Sequence, residues 1–147
     1  MQHVTIDDYW MPHDQRAVKH AAEIDDGIRA NAAETVRRLN LLLDEAVAAG
    51  VVLERSPITK TYLSSGWRNK HKNATTKGAA VKSKHMTGQA GDIYDPNDGD
   101  LDNWLMTPEG QAALARIGLW LEHPAATKGW AHVQIVPPGS GRRTFYP

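Results

Sequence analysis

The sequence predicts an α+β fold in which helices pack on a small antiparallel sheet, and three observations lead to this class. Residues 130–136 alternate between a Trp-His-Gln face and an apolar face, as in a half-buried strand. Residues 32–49 repeat apolar side chains at spacings of three and four, which is the helical period. Residues 107–118 carry the start and stop signals of a second helix. A chain of 147 residues can bury one core, so we expect one folded domain.

The composition argues against several classes of partner. Seventeen basic residues balance seventeen acidic ones, so we expect no nucleic-acid partner. The absence of cysteine excludes disulfides and thiolate metal sites. The apolar runs are too short for membrane insertion, and the first residues lack the features of a signal peptide. We therefore expect a monomer that is made in the cytoplasm.

Residues 1–30 are mostly polar and predict an extended arm that packs Tyr9 and Trp10 onto a domain formed by residues 31–147. The histidines of the arm match no ligand spacing and are expected at the surface; they are His3, His13 and His20.

The first long helix is predicted over residues 32–49, with Asn31 as its N-cap and Glu34 completing a capping box. Gly50 suits the position just after its end. Its buried face is expected to contain Val36, Leu39, Leu43, Ala46 and Val47.

Residues 51–52 and 58–65 favour strands, and residues 69–82 predict a polar loop in which His71 is solvated. The segment 60–84 carries many basic residues and no carboxylate, whereas residues 92–102 carry five aspartates. A basic rim of this kind suits a substrate with a carboxylate, although a solvated lysine-rich loop explains most of these residues equally well.

The stretch 83–94 brings an imidazole and a carboxylate to one place only if the chain turns between His85 and Asp92. Gly88 makes such a turn easy, and residues 90–94 then form a strand. Residues 95–100 read as an acidic turn, because a calcium loop needs a closing bidentate glutamate that is missing here.

The remaining elements follow from local signals. A short helix is expected over residues 101–106, and Thr107 caps a helix with Pro108 in its first turn and Gly118 after its end. Residues 119–122 predict a strand antiparallel to 130–136, and the tail 137–147 is expected along the surface.

Three of these side chains predict a metal site. His132 shares a strand face with Trp130 and Gln134. Its imidazole could bind a metal ion together with the imidazole of His85 and the carboxylate of Asp92. Two nitrogens and one oxygen leave a fourth position for water, which is the pattern of a catalytic zinc ion, one per chain. The alternative is a buried structural pair of His85 and Asp92.

The motif Ser-x-His-x-x-Gly-x-Ala-x-Asp, followed by Trp-x-His, resembles the zinc D-Ala-D-Ala carboxypeptidase family, peptidase family M15. Its fixed positions are Ser83, His85, Gly88, Ala90 and Asp92, and the segment Ser65-Gly66-Trp67-Arg68 resembles a further family segment. The resemblance runs from about residue 31 to the C-terminus. It implies the zinc fold shared by D-Ala-D-Ala peptidases and Hedgehog domains.

The resemblance also implies roles for individual residues. Arg68 would lie by the substrate, where a guanidinium can bind a carboxylate or an oxyanion, and we favour this role over the alternative of a surface arginine beside Trp67. Many family members place a catalytic carboxylate three residues before the second histidine, where this chain has Gly129. We therefore consider Glu122 as the general base, with His123 as the next candidate and an exposed strand-end acid as the alternative for Glu122.

Two further polar groups, Ser83 and Gln134, are expected to hold a ligand imidazole by its other nitrogen, a task that a backbone carbonyl could also perform. Ser83 is also a candidate for substrate binding.

The resemblance implies hydrolysis of peptidoglycan stem or cross-link peptides, by a carboxypeptidase or by an endopeptidase of the phage lysin type. Such an enzyme would act on the cell wall after phage-type release or as a virion component. The alternative is a catalytically inactive, zinc-stabilised module that binds the cell wall or belongs to a virion. A Hedgehog-like signalling domain fits a cysteine-free chain poorly.

Overall fold

The computed structural model describes residues 1–10, 12, 22–96 and 99–147. The helices are α1 (Ile6–Trp10), α2 (Asp26–Ala48), α3 (Lys70–Thr75), α4 (Asp100–Leu105) and α5 (Pro108–Ile117), with a 3-10 turn at Pro124–Ala126. The strands are β1 (Leu63–Ser65), β2 (Ala90–Tyr94), β3 (Trp120–Glu122), β4 (Trp130–Gln134) and β5 (Thr144–Phe145).

The five strands form one sheet in the order β1-β2-β4-β3-β5. The first three pairings are antiparallel, but β5 runs parallel to β3. The α+β class is confirmed, whereas the sheet is mixed rather than purely antiparallel. The tail lies at the surface as predicted, since none of residues 137–147 is buried. The sequence did not predict that the tail forms the edge strand β5, beside which the Leu121 N–H donates to the Arg143 carbonyl at 2.8 Å and the His123 N–H donates to the Phe145 carbonyl at 2.7 Å.

Helix α2 begins at residue 26, six residues before the predicted start at residue 32. Asp25 is its N-cap, and this carboxylate accepts a hydrogen bond from the Ile28 N–H at 2.8 Å. Asn31 therefore lies inside the helix, where its amide instead donates to the Thr87 carbonyl at 3.0 Å. The predicted helix end is confirmed, since Gly50 follows it with a φ of 93°.

The core lies between α2 and one face of the sheet. Side chains from α2 meet Ile93, Ala131 and Val133 of the central strands; those from the helix are Ala32, Val36, Leu39, Leu42, Leu43 and Ala46. Each fully buried leucine contributes about 1.5–3 kcal/mol. Val47 was predicted in this face but is 46% exposed, whereas Leu42, which was not predicted there, is fully buried.

Several other predictions need correction. Residues 51–62 form no strand, and β1 is confined to Leu63–Ser65. The predicted loop 69–82 contains α3, whose N-cap is Asn69; the side-chain Oδ1 of Asn69 accepts a hydrogen bond from the Lys72 N–H at 2.6 Å. The cap of α5 is confirmed, because Thr107 accepts from the Gly110 N–H at 3.1 Å.

The arm also differs in part from its prediction. Residues Ile6–Trp10 are helical, and Tyr9 is buried as expected. The predicted surface position of His3 is wrong, because its ring is largely buried and bonds Asp44 at 2.8 Å. His13 and His20 lie outside the described residues. None of the helices in the described part of the chain is long and apolar enough to cross a bilayer.

Candidate metal centre

The centre is built on the two middle strands of the sheet. Asp92 of β2 stands directly opposite His132 of β4 in the antiparallel ladder. Opposed residues point to the same side of a sheet, and the neighbouring residues Ile93 and Ala131 point into the core. The alternation of β4 therefore turns His132 away from the core, as its sequence predicts.

His85 reaches the same side from the turn before β2. Gly88 has a φ of 77°, so the predicted turn is confirmed. The turn is held from two directions: the Thr35 hydroxyl of α2 donates to the Gly88 carbonyl at 2.7 Å, and the Trp67 indole donates to the Met86 carbonyl at 2.9 Å. These bonds fix the backbone directly after His85.

The three predicted ligands converge on one point. The Oδ1 atom of Asp92 lies 3.1 Å from His85 Nε2 and 2.9 Å from His132 Nδ1. The three candidate ligand atoms all lie within 4.8 Å of one another, so they could hold a metal ion. His85 and Asp92 are buried, while the His132 side chain is 12% exposed and leaves the site open on its side.

Each imidazole forms a hydrogen bond through the ring nitrogen that points away from the centre. This bond determines which nitrogen of each ring faces the centre. His85 Nδ1–H donates to the Gly66 carbonyl at 2.7 Å, leaving Nε2 free to bind a metal. Gln134 donates its amide to the Val136 carbonyl at 2.9 Å, so its oxygen accepts from His132 Nε2–H at 3.0 Å. His132 therefore presents Nδ1.

The electrostatics favour an ionised Asp92 between the two histidines. Burial alone raises the pKa of this carboxyl, but the charge of His85 and hydrogen bonds from both rings outweigh burial and hold the pKa well below its ordinary value. Burial lowers the pKa of His85, while the charge and the hydrogen bond of Asp92 oppose this effect. Burial also lowers the pKa of His132, but the hydrogen bond and charge of Asp92 outweigh it and raise the pKa. An anionic oxygen beside imidazole nitrogens is the electrostatic pattern of a cation site.

Arg68 lies against the outer side of Asp92. Its Nη2 is 3.4 Å from Asp92 Oδ2, and its Nε donates to the Ser65 hydroxyl at 3.2 Å. The guanidinium therefore contacts Oδ2, the Asp92 oxygen that does not face the histidines. Asp92 Oδ1 remains turned toward the two rings. Its side chain is 11% exposed and lines a neighbouring groove, which leaves it within reach of a bound molecule.

Glu122 lies on the same side of the sheet. Leu121 pairs with Val133 in the antiparallel β3–β4 ladder, and the same register places Glu122 opposite His132. Burial raises the pKa of the half-buried Glu122 carboxyl, while the charge of His132 lowers it. The predicted proximity of Glu122 to His132 agrees with this register.

The pairing of Glu122 with Phe145 extends this row to the edge of the sheet. The Phe145 ring meets the His132 ring edge-on, with centroids 6.3 Å apart. Phe145 was not foreseen from the sequence, because its place depends on the parallel pairing of β5. Its one signal was the aromatic Phe145-Tyr146 pair in an otherwise polar tail.

Two predicted residues make contacts elsewhere. His123 accepts the Ala125 N–H at its Nδ1 atom at 3.0 Å and stacks on Tyr146, and no contact in the described part of the chain joins it to the metal centre. Ser83 was expected to hold an imidazole, but its hydroxyl accepts the backbone N–H of His85 at 3.3 Å. The imidazole partner is the Gly66 carbonyl, which no side-chain pattern could reveal.

Comparison of the chain with protein-family models, with curated proteins and with solved structures gives no match. The geometry of the centre and the motif resemblance are therefore the observations from which a function can be inferred.

Proposed function

We propose that this protein is a zinc-dependent peptidase that hydrolyses peptide bonds in the stem or cross-link peptides of peptidoglycan. The observation that carries the proposal is the convergence of His85 Nε2, Asp92 Oδ1 and His132 Nδ1. Two imidazoles and one carboxylate form the ligand set of a catalytic zinc site, which keeps a coordination position open.

The chemistry divides between the metal and the chain. A bound zinc ion would lower the pKa of its water toward neutrality and polarise the scissile carbonyl. Glu122 takes the proton from the attacking water and returns it to the leaving amine. Its place opposite His132 and its raised pKa suit this exchange, because a base works best when its pKa approaches the working pH.

The backbone at Gly129 explains why the carboxylate cannot come from the usual family position. Gly129 has a φ of 100°, a conformation that is strained for any residue with a side chain. It is also exposed, just before β4 begins. A glutamate there would strain the turn, whereas Glu122 reaches the same side of the sheet from a regular strand.

The second candidate function is a zinc-stabilised module that binds the cell wall without cleaving it. Gly129 is the observation that favours it, since the family carboxylate is missing there. The two functions differ in turnover and not in metal content.

The test is digestion of purified muropeptides, both uncross-linked and cross-linked, followed by product identification by mass. We expect cleavage that stops with a chelator and returns when zinc is added back. A single released D-alanine would identify a carboxypeptidase, and an internal cut would identify an endopeptidase. Intact muropeptides after incubation with the zinc-loaded protein would reject the peptidase and favour the binding module.

A further inference from the structure

An open groove of about 740 Å³ begins at Arg68, beside the metal centre. Its walls are mostly apolar and come from the start of α2, from α3 and from the chain between α3 and β2; they include Ile28, Trp67, Ala74, Val81 and Met86. The catalytic role proposed above uses none of these five side chains.

One residue of the groove lining has a buried polar atom without a hydrogen-bond partner in the described part of the chain. Asn73 is 5% exposed, and its amide nitrogen donates to the Ala80 carbonyl at 2.9 Å. Its carbonyl oxygen has no hydrogen-bond partner among the described residues. A buried acceptor without a donor costs about 1–3 kcal/mol, so a ligand N–H that reached it would be favoured.

The charge around the groove is predominantly positive. Lys70 lines it beside Arg68, and the exposed Lys77 and Lys82 lie next in sequence to the lining residues Thr76 and Val81. Among the lining residues that the structure describes, Glu23 is the one acid. An occupant with a free carboxylate is therefore complementary to this rim.

The order of the strands decides which part of a substrate faces the groove. Arg68 follows β1 at one edge of the sheet, while Glu122 belongs to β3 on the far side of His132. The group that returns the proton must lie beside the leaving amine. The leaving residue then lies toward Glu122, and the acyl part of the substrate extends toward Arg68 and into the groove.

We propose that this groove binds the acyl side of an anionic peptide made of small residues, with a free carboxylate held by Lys70 and Arg68 and a backbone N–H donated to Asn73. Apolar walls suit alanine methyl groups, and the rim suits the free α-carboxylate of a γ-linked glutamate. The assignment of the acyl side rests on the proposed peptidase function, because it depends on the role of Glu122.

The test measures binding without turnover. An acetylated stem tetrapeptide, L-Ala-γ-D-Glu-L-Lys-D-Ala, is titrated by calorimetry into zinc-loaded Glu122→Gln protein, and the same titration is repeated with the glutamate α-carboxyl amidated. We expect the free acid to bind at least about tenfold more tightly than its amidated twin. In this background Lys70→Glu should abolish the difference, and Val81→Asp should weaken binding of the free acid at least about tenfold.

Matched controls exclude general damage. Val52 is exposed like Val81 and Lys128 is exposed like Lys70, and neither lines the groove. Val52→Asp and Lys128→Glu should bind both peptides as the parent does. Unchanged binding in both Val81→Asp and Lys70→Glu would overturn the proposal. Because binding is read directly, a protein inert toward muropeptides would reject the peptidase and leave the result on the groove standing.

Discussion

Glu122 and Gln134 both lie near His132, and we expect substitutions of the two residues to have different effects. Gln134 fixes the tautomer of the ring through its hydrogen bond to Nε2, whereas Glu122 stands opposite it with a carboxylate that makes no hydrogen bond to the ring. A change at Gln134 should therefore affect metal affinity, and a change at Glu122 should affect turnover.

Glu122→Gln should lower kcat by roughly 10²–10⁴-fold while zinc content stays at the wild-type level, because an amide cannot accept the water proton. Steady-state kinetics on a muropeptide and metal analysis check both parts. Glu109→Gln, an exposed acid of α5, is the control and should be fully active. An unchanged kcat in Glu122→Gln would remove this residue from the mechanism.

Gln134→Met should weaken zinc binding by about 10–100-fold, because His132 then loses the acceptor that holds its Nε2–H. Competition with a chromophoric chelator measures the affinity. At saturating zinc, kcat should remain close to the wild-type value. The exposed Gln2→Met is the control, and equal affinities in the two variants would show that Gln134 does not hold the ring.

The turn between His85 and β2 is the element on which the site depends most. A Cβ on Gly88 would lie 2.9 Å from the Ile28 carbonyl oxygen, because α2 packs directly against the turn. Helix α2 thus contributes to the site by its backbone as well as by the Thr35 hydroxyl.

Gly88→Ala should destabilise the protein by about 2–4 kcal/mol and weaken zinc binding, because it adds a clash with α2 to the cost of a left-handed alanine. Gly78 offers a matched control, since its φ is 78° and a Cβ there would have no atom within 4 Å. Gly78→Ala should cost only about 1–2 kcal/mol and leave zinc binding unchanged. Denaturant unfolding checks both values, and equal losses in the two variants would contradict the clash.

The elements that could be predicted from the sequence are those whose signals are local. The alternating pattern of β4 and the glycine turn before β2 predicted that His85, Asp92 and His132 lie close together. The strand β5 could not be predicted, because its place depends on distant contacts such as the Arg143 hydrogen bond to the Leu119 carbonyl at 2.8 Å. Phe145 was missed for the same reason.

The start of α2 and the partner of His85 show two further limits. Asn31 and Asp25 are both good N-caps by residue type, and the choice depends on how α2 packs against the turn that contains Thr87. The acceptor that orients His85 is the backbone carbonyl of Gly66. Every residue has such a carbonyl, so the residue type cannot indicate which one accepts this hydrogen bond.

For the molecule as a whole, stability should depend on pH through Asp102. Burial, and then the charge of Asp95, raises the pKa of this carboxyl from 3.8 to about 7. The folded state therefore binds the proton more tightly than the unfolded state. The stabilisation is present at low pH and is lost as pH rises through the folded pKa.

Asp102→Asn should remove this pH dependence, because an asparagine resembles the protonated acid. Relative to wild type, the variant should gain on the order of 1–2 kcal/mol between pH 5 and pH 8. Denaturant unfolding of wild type and variant at both pH values gives the difference in unfolding free energy between the two proteins at each pH. The exposed Asp100→Asn is the control. The same difference from wild type at both pH values would contradict the raised pKa.

The most direct test of the central claim joins metal content to bond cleavage. Zinc is counted by elemental analysis, and muropeptide products are identified by mass, for wild type, for His85→Ala and for the exposed control His71→Ala. We predict one zinc per chain and a cut peptide in wild type and in His71→Ala, with both lost in His85→Ala. Muropeptide cleavage that persists in zinc-free His85→Ala would contradict the account.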